Sequence, residues 1–188
     1  IALDELMAYA KGGEGADQYG DAVGPALAEW IKAGGSWRLG ASSAAEIQAV
    51  LSFSQTHSIP LVIDGGADAD SFAAELAAGQ ARVVLSVDTA GSIRDRGKDA
   101  DSRWREEADA SALAEAGVEF AISNRSAGAT LFAAALSASA GLSEAEALQA
   151  ITLSAANILG VGDRVGSITP GKEADLVVLN GSPAQVTT

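Results

Sequence analysis

Residues 60–87 contain Pro60-Leu61-Val62-Ile63-Asp64-Gly65-Gly66 and, after an Ala-rich stretch from Phe72 to Gly79, Arg82-Val83-Val84-Leu85-Ser86-Val87. Both ends are short apolar runs bounded by Pro or Gly. Such runs form strands covered on both faces, because a half-exposed strand would alternate apolar with polar residues. The stretch between them is rich in Ala and carries Leu76, and is read as a helix. Strand, helix and strand in this order form a βα unit that joins parallel strands. Gly65-Gly66 ends the first strand as a turn and matches no phosphate-cradling motif.

The alternation extends in both directions. Upstream, Ala44 to His57 reads as a helix with Ile47, Val50, Leu51 and Phe53 on its apolar face. Before it, Trp37-Arg38-Leu39-Gly40 reads as a short strand, preceded by a helix around Ala26 to Ala33. The first 25 residues are Gly-rich and weakly patterned, and are expected to be a loop-heavy connection. Downstream, Glu106 to Ala116 reads as a helix closed by Gly117, Val118 to Ser123 as a strand, and Ala129 to Ala140 as a helix of small residues. The fold class is therefore α/β with a parallel sheet.

The last 50 residues have a different order. Ser143 with Glu146 forms a capping box that starts a helix carrying Ala147, Leu148, Ile151 and Leu153. Asn157 to Leu159 close a second short helix, which Gly160 ends. Pro170-Gly171-Lys172 is a tight turn. Leu176-Val177-Val178-Leu179 is a wholly apolar run, expected to be a buried strand ended by Asn180-Gly181.

This block, Gly141-Leu142-Ser143-Glu144-Ala145-Glu146 through Thr152-Leu153-Ser154-Ala155-Ala156-Asn157-Ile158-Leu159-Gly160 to Asp163-Arg164-Val165-Gly166-Ser167-Ile168-Thr169-Pro170-Gly171-Lys172-Glu173-Ala174-Asp175-Leu176, resembles the C-terminal signature of the amidohydrolase superfamily. It is closest to the imidazolonepropionase-like members, and the resemblance covers residues 37–183. It implies the C-terminal half of a (β/α)8 TIM-type barrel, with a final strand returning to a small β-sandwich. About four βα units are present, where a closed barrel needs eight and about 250 residues. The implied organisation is a loop-rich connection and helix over 1–36, the second half of the barrel over 37–160, and the return strand over 161–188.

Composition narrows the function classes. A length of 188 residues with 48% hydrophobic content suffices for a substantial core. The net charge of −13 argues against a nucleic-acid partner, whose phosphates would be repelled. Only four Lys are present, so no basic patch exists for anionic lipid, and no apolar run is long enough for membrane insertion. The absence of Cys excludes disulfides, thiolate zinc sites and Cys nucleophiles. The sequence starts at Ile1 rather than Met, and a mature product or a fragment is expected.

Chemistry in a parallel barrel sits at the C-terminal ends of the strands. Those positions are Gly40, Asp64, the Val87-Asp88 edge and Asn124. The resemblance implies a metal held by His-x-His on the first strand, an acidic group or modified Lys on the fourth, and His on strands five and six. An Asp on strand eight then takes the proton of a metal-activated water. By position, Asn124 stands where the family has Asp, and a neutral amide cannot accept that proton. Gly40 falls at or near the fifth-strand His, and Asp64 ends strand six. Zinc needs three or four good donors, so no metal and no cofactor are expected. Zinc or another divalent metal enters only if an N-terminal half supplies the ligands.

Other candidates have plainer explanations. His57, the only His, lies in Thr56-His57-Ser58-Ile59-Pro60 at a helix C-terminus, where a partial negative charge favours it, at the end away from the chemistry. Asp64 and Asp88 form a possible carboxylate pair, but Asp64 beside Gly65-Gly66 reads as a turn residue and Asp88 as the start of a solvated loop. Arg125 is placed to bind an anion at the barrel mouth, although pairing with a surface acid is the preferred reading. The Asp88–Arg105 segment carries Arg94, Asp95, Arg96, Lys98, Asp99, Asp101, Arg103 and Arg105 around Trp104, which suits either a lid or partner-binding loop or a solvated insertion.

Three functional expectations follow. The first is a degenerate amidohydrolase that has lost its metal centre and acts as a structural or regulatory subunit, with a protein partner that is a second copy or an active paralogue. The second is a hydrolase of non-peptide C–N bonds whose main ligands lie in another half. The third is a module that binds a small ligand at the barrel mouth without turnover. Asn124 discriminates between the first two.

Overall fold

The computed structural model describes residues 7, 26, 29–31, 33–87 and 110–183. Four parallel strands form one sheet in sequence order: β1 (Trp37–Ala41), β2 (Leu61–Gly65), β3 (Arg82–Ser86) and β4 (Phe120–Ser123). Helix α1 (Ala44–His57) links β1 to β2, and a 3-10 turn (Ala69–Phe72) with α2 (Ala73–Ala78) links β2 to β3. Residues 110–115 are helical and lead into β4. A 3-10 turn (Ala127–Ala129) and helix α3 (Thr130–Ser139) follow, then α4 (Glu144–Ile151) and α5 (Leu153–Ile158). Helical residues also occur at 26 and 29–31. The expected loop-heavy first 25 residues lie outside the described residues, except Met7, which is helical and fully buried.

Helix α1 begins where the sequence placed it. The Glu46 carboxylate accepts the backbone N–H groups of Ser43 and Ser42 at 3.0 and 2.9 Å, satisfying two donors that helix geometry leaves unpaired. Asp68, from the loop after β2, accepts the N–H of Ala44 at 2.9 Å and fixes the helix start to that loop. Ser58 ends the helix in the left-handed region, and Ser54 donates to the Ile59 carbonyl at 2.7 Å to close the turn into β2. Helix α4 has the same capping box at Ser143 and Glu146.

Strand alternation divides the core between the two faces of the sheet. One face presents Leu61, Ile63, Val83, Leu85, Phe120 and Ile122, all buried together with Ile47 and Leu51 of α1, Leu76 of α2, Leu113, and Ala133 and Ala134 of α3. Small residues on α3 let that helix approach closely, as its Ala content predicted. Trp37 packs with Phe53, Ile59 and Met7 in an adjoining cluster, with its ring 5.6 Å from that of Phe53. The second face carries Val62, Val84 and Ala121, buried with Ile158 of α5. Arg82 Nη1 donates to the Asn157 carbonyl at 3.5 Å and the Asn157 amide donates to Glu119 at 2.9 Å, tying α5 to the N-terminal edge of the strands.

Beyond α5 the chain folds around glycines. Gly166 has φ +90 and sits against α5, where an added Cβ would lie 2.9 Å from Leu153 Cα and Ala156 Cβ. Thr169-Pro170-Gly171-Lys172 is a turn with φ +93 at Gly171 and a bond from the Lys172 N–H to the Thr169 carbonyl at 3.1 Å. The Arg164–Glu173 ion pair at 2.6 Å and the Glu173 N–H to Arg164 carbonyl bond at 2.8 Å clip its base.

The final strand departs from expectation. Residues 173–179 belong to no strand, and Leu176, Val177, Val178 and Leu179 are exposed, Val178 at 96%. A strand needs a partner for its backbone groups and cover for its apolar faces. The described residues supply neither, so the run is neither paired nor buried.

Candidate functional site

Because the strands are parallel, their C-terminal ends share one edge. This edge brings together Gly40 and Asp64, which pair in register, with Val87 after β3 and Asn124 after β4. Asp88 and the charged segment through Arg105 lie outside the described residues. The candidate Asp64–Asp88 pair therefore lies partly outside the described residues.

Asn124 is held on both sides of its amide. Its Nδ2 donates to the Val87 carbonyl at 2.5 Å, and its Oδ1 accepts the Ser126 N–H at 2.9 Å. The first bond joins the ends of β3 and β4, and the second shapes the turn into the next helix. Arg125 is exposed in that turn and forms no ion pair with the described residues.

Asp64 is paired with a cation on the neighbouring strand. Its Oδ2 accepts Nε and Nη2 of Arg38 at 3.0 and 2.9 Å, and both side chains are roughly half exposed. The role at the turn is taken by Gly65 and Gly66, with φ +118 and +65 and no room for a Cβ beside Ser42 and Val83. Arg38 was not among the expected site residues. Its signal in the sequence is an Arg between the core residues Trp37 and Leu39, which alternation sends to the opposite face. By the same register, Ser86 and Ser123 share that face with Asp64, and their hydroxyls lie 3.5 Å apart.

The donors that the described residues offer at this edge are few. Gly40 offers no donor, the Asn124 oxygen is taken by a backbone N–H, and the Asp64 carboxylate is already held by a cation. Among the described residues, no group of three His, Cys, Asp or Glu side chains converges as a metal site. His57 lies at the opposite edge of the sheet, with its ring 4.7 Å from that of Phe53. Grooves of about 540 and 350 Å³ also lie at that opposite edge, the first lined by Ser58, Gln80 and Arg82 and the second by Glu119 and Glu146. Neither contains an expected site residue. No described helix is long and apolar enough to cross a membrane.

Comparison with known proteins agrees with this architecture. The structure of an amidohydrolase from Thermotoga maritima MSB8 superposes with a TM-score of 0.75 at 25% identity, covering 97% of this chain and 49% of that one. A second amidohydrolase structure matches at 19% identity with a TM-score of 0.57, covering 98% of this chain and 53% of that one. A prolidase complexed with N-methylphosphonate-L-proline matches at 21% identity with a TM-score of 0.52, over 85% of this chain and 51% of that one. The chain thus spans about half the length of these solved structures. No curated protein matches it. The four-stranded parallel sheet is consistent with part of a TIM-type amidohydrolase barrel. The amidohydrolase family model matches residues 62–188, and the chain belongs to that family.

Proposed function

We propose that this chain is the C-terminal half of an imidazolonepropionase-like amidohydrolase barrel that has lost its metal centre and serves as a non-catalytic structural or regulatory subunit. In this reading 37–160 form the barrel portion, 161–188 carry the return strand of a composite β-sandwich, and 1–36 connect to what precedes them. The observation that carries it is Asn124, which stands at the family's proton-accepting position with both ends of its amide committed to the backbone. A carboxylate there could not donate to Val87, so the position is built for an amide. The Arg38–Asp64 pair supports the same reading, since a cation already neutralises the Asp64 carboxylate. The exposed run from Leu176 to Leu179 supports the composite sandwich, because both its faces are apolar and need cover. No metal or cofactor is assigned, and the partner is a second copy or an active paralogue.

The coverage of only half of each solved relative favours a second reading. In it, ligands from the other half complete a divalent metal site, and the whole protein hydrolyses a C–N bond. Elemental mass spectrometry of the natively purified full-length protein separates the two. Substoichiometric zinc, manganese and iron are expected, and near-stoichiometric metal with hydrolase activity would overturn the first reading.

A further inference from the structure

The second face of the sheet carries a polar tier to which the amidohydrolase reading assigns no ligand. Arg38, Asp64, Ser86 and Ser123 share this face by register, on four successive strands. We infer that the tier binds a small organic carboxylate through the Arg38 guanidinium, with Asp64 as an internal competitor and the serine hydroxyls receiving the far end of the ligand. The inference rests on the metal-free reading above.

The guanidinium geometry supports a carboxylate. Nε and Nη2 of Arg38 both bond to one oxygen, Oδ2 of Asp64, so Asp64 takes one edge of the fork. Nη1, on the other edge, has no partner among the described residues, and the side chain is 49% exposed. A planar fork with a free edge matches a carboxylate in two parallel bonds. One cation already shared with Asp64 suits a monoanion better than a dianion such as phosphate, which the net charge of −13 also opposes.

Space and a second polar anchor are present. Among the described residues, a Cβ added at Gly40 would meet nothing nearer than the Asp64 carbonyl oxygen at 4.0 Å, which leaves room beside β1. Ser123 Oγ donates to the Leu85 carbonyl at 3.1 Å and lies 3.5 Å from Ser86 Oγ, while Ser86 itself is exposed. Ser86 is two register positions beyond Asp64 on the next strand, about 8 Å away by strand rise and spacing. Val84 pairs with Asp64 in register on the same face and is buried with Val62 and Ala121. Polar ends separated by an apolar floor fit a short ligand with a carboxylate at one end and a hydroxyl at the other.

The test is calorimetric titration of the full-length protein, treated with chelator, using sodium acetate and 4-hydroxybutyrate at low ionic strength. Both should bind, the hydroxy acid more tightly, and Ser86→Ala should reduce it toward acetate. Arg38→Met should abolish binding and Arg38→Lys should weaken it. Asp64→Asn should strengthen binding roughly tenfold or more by removing the competitor. Circular dichroism confirms that each half-exposed variant is folded. Absence of binding in both the native protein and Asp64→Asn would overturn the inference alone. Binding that needs added metal and survives Arg38→Met would overturn both the inference and the metal-free reading. Binding that needs metal but is lost in Arg38→Met would overturn the metal-free reading and, with it, the inference that rests on it.

Discussion

The side-chain amide of Asn124 donates to the main-chain carbonyl of Val87 at 2.5 Å, joining the ends of the last two strands of the sheet. The same amide accepts the N–H of Ser126, so the residue works as a strand-to-turn connector. Its role in this fold is visible without reference to any reaction.

Asn124→Asp replaces the donor to Val87 with an acceptor and sets two oxygens against each other. We expect a loss of about 1 kcal/mol or somewhat more, the cost of an unmade, partly buried hydrogen bond. Urea unfolding of the native and variant proteins measures it. The variant should gain no zinc-dependent hydrolysis, because Gly40 still supplies no ligand. Measurable zinc-dependent turnover would sink the degenerate-site reading.

Gly166 and Gly171 both have positive φ but differ in their surroundings. At Gly171 nothing lies within 4 Å of where a methyl group would stand, so Gly171→Ala should cost only the left-handed strain, about 1–2 kcal/mol. At Gly166 the same change also meets Leu153 and Ala156 at 2.9 Å. Gly166→Ala should therefore be the more destabilising of the two in parallel thermal melts. Equal shifts would show that α5 yields to the methyl group.

Ile63 is fully buried at the centre of the helix-covered face. Ile63→Ala should cost about 2–5 kcal/mol through lost burial and a cavity. Leu176 is 61% exposed here. If a partner strand covers it in the full-length protein, Leu176→Ala should cost a comparable amount there. A change within about 0.5 kcal/mol, as for an exposed side chain, would contradict the composite sandwich.

The two capping glutamates make stability fall in acid. The Ser43 and Ser42 N–H groups hold the Glu46 carboxyl below its usual value, and the Ser143 hydroxyl and N–H do the same for Glu146. A folded-state value below the unfolded one stabilises the protein above the unfolded value. That stabilisation is lost as pH falls through the folded value, hence below the usual glutamate range of about 4.3. Urea midpoints measured from neutral to acid pH should drop less steeply for Glu46→Gln and Glu146→Gln. Unchanged acid slopes in both variants would show that the caps persist with protonated carboxyls.

Local sequence determined much of this molecule. The helix read at Ala44 to His57 has those bounds, because its cap, apolar face and stop are all encoded within a few residues. The apolar runs at Leu61 and Val83 became adjacent parallel strands, since the helix between them leaves only that connection. The C-terminal capping box and the Pro170-Gly171 turn are likewise local chemistry. Tertiary structure decided what depends on neighbours distant in sequence. Arg38 and Asp64 are 26 residues apart, and only strand register brings them into contact. Asn124 reads as a lone polar residue until β3 ends beside it and offers the Val87 carbonyl. Leu176 to Leu179 have the composition of a strand, yet a strand is a property of a pair, and no partner lies among the described residues.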